Sequence, residues 1–125
     1  PLASLCAGNA ALIAFLQPGG EPTEHFLNEL YDAYERLSAV CRVVIVLPSS
    51  GSSSLAYARF ADKYGRIDTY IDADEVQEPL ARAAFKEPGD YPLLFLMGGY
   101  PDCRFASAGY SVGSVELIIK LAALI

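Results

Sequence analysis

Hydrophobic positions along this chain alternate between two styles. Short, nearly unbroken apolar runs occur at Ala10–Leu16, Arg42–Leu47 (RVVIVL) and Pro92–Met97 (PLLFLM). Between them, apolar residues recur every three or four positions, as in Phe26, Leu27, Leu30, Tyr31, Tyr34 and Leu37. The first style reads as buried strand and the second as amphipathic helix. RVVIVL does not alternate with polar residues, which predicts a strand covered on both faces, as in a parallel sheet.

The remaining elements follow from breaks and periods. Gln17-Pro18-Gly19-Gly20 ends the first run, and a helix is expected from Pro22, with Glu21 and Glu24 at its positive end. After Pro48 and the Ser49–Ser54 break, a helix is expected over Leu55–Tyr64, and a short strand over Ile67–Ile71. A helix over Glu75–Lys86 leads to the break Glu87-Pro88-Gly89-Asp90. PLLFLM, a turn at Gly98–Asp102, a weaker strand at Cys103–Ala108 and a last helix over Val112–Leu124 complete the chain. The apolar tail Leu117–Ile125 reads as a buried helix end. The order is βαβαβαββα: parallel strands joined by helices, then a hairpin and a closing helix.

Composition narrows the class. The 125 residues suit one domain, 1–125, which buries about 65–70% of its unfolded surface. With 53% hydrophobic and 19% charged residues, disorder is excluded. A net charge of −6 speaks against nucleic acid, which needs clustered Lys and Arg. No apolar stretch reaches the ~20 residues of a membrane span. The start at Pro1, without Met, leads us to expect a piece of a longer chain.

The element order resembles the thioredoxin-like fold in its peroxiredoxin or TlpA-like version. The carrying features are strand Ala10–Leu16, the helix from Pro22, strand Arg42–Leu47, Tyr91-Pro92 before PLLFLM, the hairpin and the final helix. The resemblance implies a mixed five-stranded sheet in the order 3-2-1-4-5 with helices on both faces. It also implies a cis-proline at Pro92 facing the helix from Pro22. Active members carry Cys-x-x-Cys at that helix start, where a thiol pKa falls to ~3.5–7.5. Here Gly20-Glu21-Pro22-Thr23 occupies the place, with Gly20 and Thr23 at the two cysteine positions. Thr23 has no base beside it in the sequence to make it a nucleophile.

A second likeness is more particular. Glu21-Pro22-Thr23-Glu24-His25 and Gly109-Tyr110-Ser111-Val112-Gly113 are similar to motifs of thioredoxin-like domains appended to bacterial secreted transglutaminase-like proteins. This resemblance implies a redox-inactive accessory domain of an exported protein, at the periplasm or cell surface. Its partner would be another domain of its own chain or a separate protein. No catalytic residue, metal or cofactor is implied.

Two other readings stay open. One is a thiol–disulfide oxidoreductase or peroxiredoxin-like enzyme using Cys103 or Cys41. The other is ligand or peptide binding on a face made by Gly20, Glu21, Thr23, His25, Tyr91 and Pro92. Against the latter, Glu21 and Thr23 also suit a helix cap, and the single His25 suits a helix surface. Cys6, Cys41 and Cys103 match no zinc spacing. The expected strand directions put all three thiols at the sheet edge opposite Pro92. They read as small structural cysteines, and any bridge joins Cys6 to Cys103 or Cys6 to Cys41. Ser49–Ser54 lacks the lysine and glycine spacing of a phosphate loop, and Asp68, Asp72, Asp74 and Glu75 lack an EF-hand pattern.

Overall fold

A computed structural model describes residues 10–16, 21–47, 62–63, 70–72, 92–98, 102–109 and 111–125. Strand β1 is Ala10–Phe15 and β2 is Arg42–Leu47. They pair in parallel, Ala11 opposite Arg42 and Phe15 opposite Val46. A parallel pair needs a crossover, and helix α1, Glu21–Ser38, supplies it. It begins one residue before the expected Pro22, whose missing N–H still falls in the unpaired first turn. Thr23, Phe26, Leu27, Leu30, Ala33 and Leu37 form its buried stripe. The N–H groups of Val40 and Cys41 both donate to the Leu37 carbonyl at 3.0 Å, closing the helix end.

The sheet order is β3-β2-β1-β4-β5. β3 is three residues, Tyr70–Asp72, parallel to β2, and it reaches one residue past the expected Ile67–Ile71. β4, Leu93–Gly98, runs antiparallel to β1, with Phe15 opposite Leu93 and Ala10 opposite Gly98. β5, Cys103–Ala108, turns back along β4. The Gly98 N–H donates to the Asp102 carbonyl at 2.8 Å, which ties the turn expected at Gly98–Asp102. One register shift opposite Leu96 and Met97 leaves Arg104 as an extra residue in β5.

Alternation assigns the faces. Leu12, Ala14 and Leu16 of the first strand segment lie with Val43, Ile45, Leu94 and Leu96 in one core cluster, beneath Phe26, Leu27, Leu30 and Leu37 of α1. Each fully buried Leu or Phe contributes about 1.5–3 kcal/mol relative to an exposed one. On the opposite face Ala11, Ile13, Phe15, Val44 and Val46 are equally inaccessible, so both faces are covered, as the unbroken apolar runs required. Phe15 and Phe95 meet there edge to face, ring centroids 5.7 Å apart.

The closing helix α2, Ser114–Ala122, packs beside α1 on the same face. Helices expected over Leu55–Tyr64 and Glu75–Lys86 lie outside the described residues, apart from helical Asp62–Lys63. α2 starts two residues after the expected Val112, because Gly113 takes φ 87° just before it, and ends two residues before the expected Leu124. The buried-tail expectation for Leu117–Ile125 needs correction. Ile118 and Ala122 are buried with Val115, whereas Leu117 and Leu124 are 45% and 83% exposed. A 3.6-residue period allows one stripe to face the sheet, and Leu117 and Leu124 fall on another side.

Candidate functional site

The C-terminal ends of parallel strands are where open α/β sheets place their sites. In this sheet that edge holds the end of β1, the start of α1 five residues beyond Leu16, and the start of β4. Pro92 sits immediately before Leu93, which pairs with Phe15. Its carbonyl accepts the Gly109 N–H at 3.0 Å, so the two ends of the hairpin are joined at this edge. Register therefore brings Pro92 and the α1 start to one end of the sheet.

The side chains there divide into two groups. Thr23 is 1% exposed and Pro92 is buried, so both belong to the packed base of this end. Glu21 and His25 lie on the outer surface of the first turns, 3.8 Å apart at side-chain exposures of 88% and 56%. Glu24 accepts a hydrogen bond from Lys63 at 2.8 Å. Gly20 and Tyr91, the other members of the expected face, lie outside the described residues. Among the described residues no three His, Cys, Asp or Glu side chains gather as a metal site.

Two thiols can be placed. Cys41 precedes Arg42 at the other end of β2, opposite Ala11, and is 7% exposed. Burial pushes its thiol up to about 11, against a smaller opposing effect of a Leu12 backbone hydrogen bond. About one thiol in ten thousand is then ionised at pH 7, far below a working nucleophile. Cys103 is exposed, pairs in register with Met97, and donates to the Phe105 carbonyl at 3.4 Å. From Pro92 to Met97 the strand climbs about 17 Å at ~3.3 Å per residue, which separates this thiol from the Pro92 end. Cys41 and Cys103 are free, and Cys6, the expected partner in either bridge, lies outside the described residues.

Contacts the sequence did not suggest tie α2 to α1. Arg36 donates through Nη1 to Glu116 Oε2 at 3.0 Å and through Nη2 to Glu116 Oε1. The Arg36 hydrogen bond holds the Glu116 carboxyl below its ordinary range. Glu29 accepts the Gly113 N–H at 3.3 Å. These pairs are 80 and 84 residues apart, beyond any periodicity a linear reading detects.

A parallel pair joined by a helix, a hairpin opening on a buried proline beside that helix, and a closing helix define a thioredoxin-like fold. Solved structures carry the same arrangement. One is a thiol:disulfide interchange protein of the thioredoxin family from Chlorobium tepidum, with TM-score 0.71 and 13% identity over 97% of this chain and 84% of that one. Another is a secreted Mycobacterium tuberculosis disulfide oxidoreductase, with TM-score 0.65 and 17% identity over 98% and 86%. A third is the exposed lipoprotein thioredoxin of Streptococcus pneumoniae, with TM-score 0.65 and 12% identity over 98% and 90%. No family model matches the sequence, and no curated protein does. At these identities the likeness is one of fold.

Proposed function

We propose that this domain keeps the thioredoxin-like frame without thiol–disulfide chemistry and works as an accessory or interaction module within a larger exported protein. The observation that carries the reading is the sulfur-free start of α1. Gly20-Glu21-Pro22-Thr23 stands there, while Cys41 and Cys103 belong to the other end of the sheet. A helix N-terminus lowers a thiol pKa only where a thiol is present, and the buried hydroxyl of Thr23 offers no comparable nucleophile. Export is supported by neighbours described as secreted and as an exposed lipoprotein. The tail-domain reading, with a transglutaminase-like region in the same polypeptide, rests on the Glu-Pro-Thr-Glu-His and Gly-Tyr-Ser-Val-Gly motifs.

The neighbours' own activity favours the competing reading, an oxidoreductase with a displaced cysteine. For Cys41 the raised thiol pKa opposes it. For Cys103 the exposed thiol permits it. Insulin-reduction and peroxide-consumption rates of the wild type and of the Cys41→Ser and Cys103→Ser variants separate the two. Rates at buffer level in all three are expected; a rate that Cys103→Ser abolishes establishes the enzyme instead.

A further inference from the structure

The closing helix is held differently from the rest of the described fold. β1, β2 and β4 each pair with two neighbouring strands, and α1 buries six residues along its length. α2 has nine residues and a buried stripe of three, Val115, Ile118 and Ala122. A helix that short does not persist alone in water, where even about 12–15 residues are marginal. For α2, leaving its seat and losing its helical hydrogen bonds are therefore one event.

Two contacts from α1 hold the start of this helix. Gly113, at the N-cap position, brings no capping side chain of its own, and its N–H donates instead to Glu29 Oε1 at 3.3 Å. One turn on, Glu116 accepts hydrogen bonds from both terminal nitrogens of Arg36. Carboxylates at the positive end of a helix are favourable, and Glu29 and Glu116 both stand there. At the far end Leu124 is exposed.

The connection leading into α2 is built to turn. Gly109 and Gly113 take φ 83° and 87°, a region that glycine enters freely and other residues rarely do. Gly109 is fixed to the hairpin base by its bond to the Pro92 carbonyl, so the turning point lies between Gly109 and Gly113, at the candidate-site end of the sheet. We infer that α2 is a latched unit that opens on its own, with Glu29 and Arg36 of α1 as the latch. Opening uncovers the part of the core that Val115, Ile118 and Ala122 share with Leu94 and Leu96, while the sheet stays paired. Local openings of this kind lie below global unfolding in free energy. The inference goes beyond the accessory-domain reading and does not depend on it.

Native-state hydrogen exchange of the whole chain, read by mass spectrometry through a urea series below the unfolding transition, tests this. The amides of α2 are expected to exchange faster than those of β1 and β4, with a shallower dependence on urea because less surface is exposed. Glu29→Ala combined with Arg36→Met accelerates α2 exchange about tenfold. Ile13→Val, on the opposite face of the sheet, accelerates β1 and β4 several-fold and leaves α2 unchanged. Exchange of α2 and the strands at one rate with one urea slope in the wild type overturns the proposal. So does an α2 rate that follows Ile13→Val, or one that a folded latch variant leaves unaltered.

Discussion

Cys41 shows how a residue's address decides its chemistry. At 7% exposure its thiol is held protonated, up to about 11, whereas Cys103 faces solvent. Iodoacetamide labelling at pH 8, read by peptide mass mapping, is therefore expected to modify Cys103 within minutes and Cys41 only after denaturation. Equal labelling of both in the native protein would contradict the burial of Cys41. Gly113 makes a different demand. Its φ of 87° lies in the left-handed region, and a Cβ there meets nothing within 4 Å. The cost of Gly113→Ala is thus backbone strain alone, about 1–2 kcal/mol, measurable as a fall in urea midpoint with an unchanged slope.

At the scale of elements, α2 depends on α1 for more than packing. Val115, Ile118 and Ala122 bury its inner stripe, while Arg36–Glu116 and Glu29–Gly113 tie its start. The Glu116 carboxyl is held below its ordinary range by Arg36, so it binds fewer protons folded than unfolded. Its contribution is then fully present above the unfolded carboxylate range and fades as pH falls through the lowered folded value. Both side chains are half exposed, so the effect is small and salt-sensitive. Thermal melts of wild type and Glu116→Gln should differ modestly at pH 7, and the difference should shrink as pH falls through the acid range. A difference that grows or stays constant as pH falls would assign the contribution to something other than this ion pair.

For the whole molecule, legibility followed the range of the interaction. The unbroken run RVVIVL announced a strand buried on both faces, PLLFLM announced a strand, and Pro22 with Glu21 and Glu24 announced the start of α1. Those signals are local, and the parallel and antiparallel pairings follow from them with few alternatives. Helix faces were less legible: the run Leu117–Ile125 is apolar apart from Lys120, and only packing against α1 and the sheet selects Ile118 and Ala122 as its buried members. At the candidate site, sequence named Thr23 and Pro92 but not their burial, which depends on neighbours from several segments. The side-chain ties between α1 and α2 left no trace in spacing at all.

The central claim is that the α1 end keeps a redox frame from which sulfur has been lost. Insulin reduction by the wild type and by the double variant Gly20→Cys with Thr23→Cys, measured side by side, tests it most directly. A wild-type rate at buffer level and a double-variant rate well above it is the predicted result. Equal rates for the two proteins, whether both idle or both active, would contradict the account.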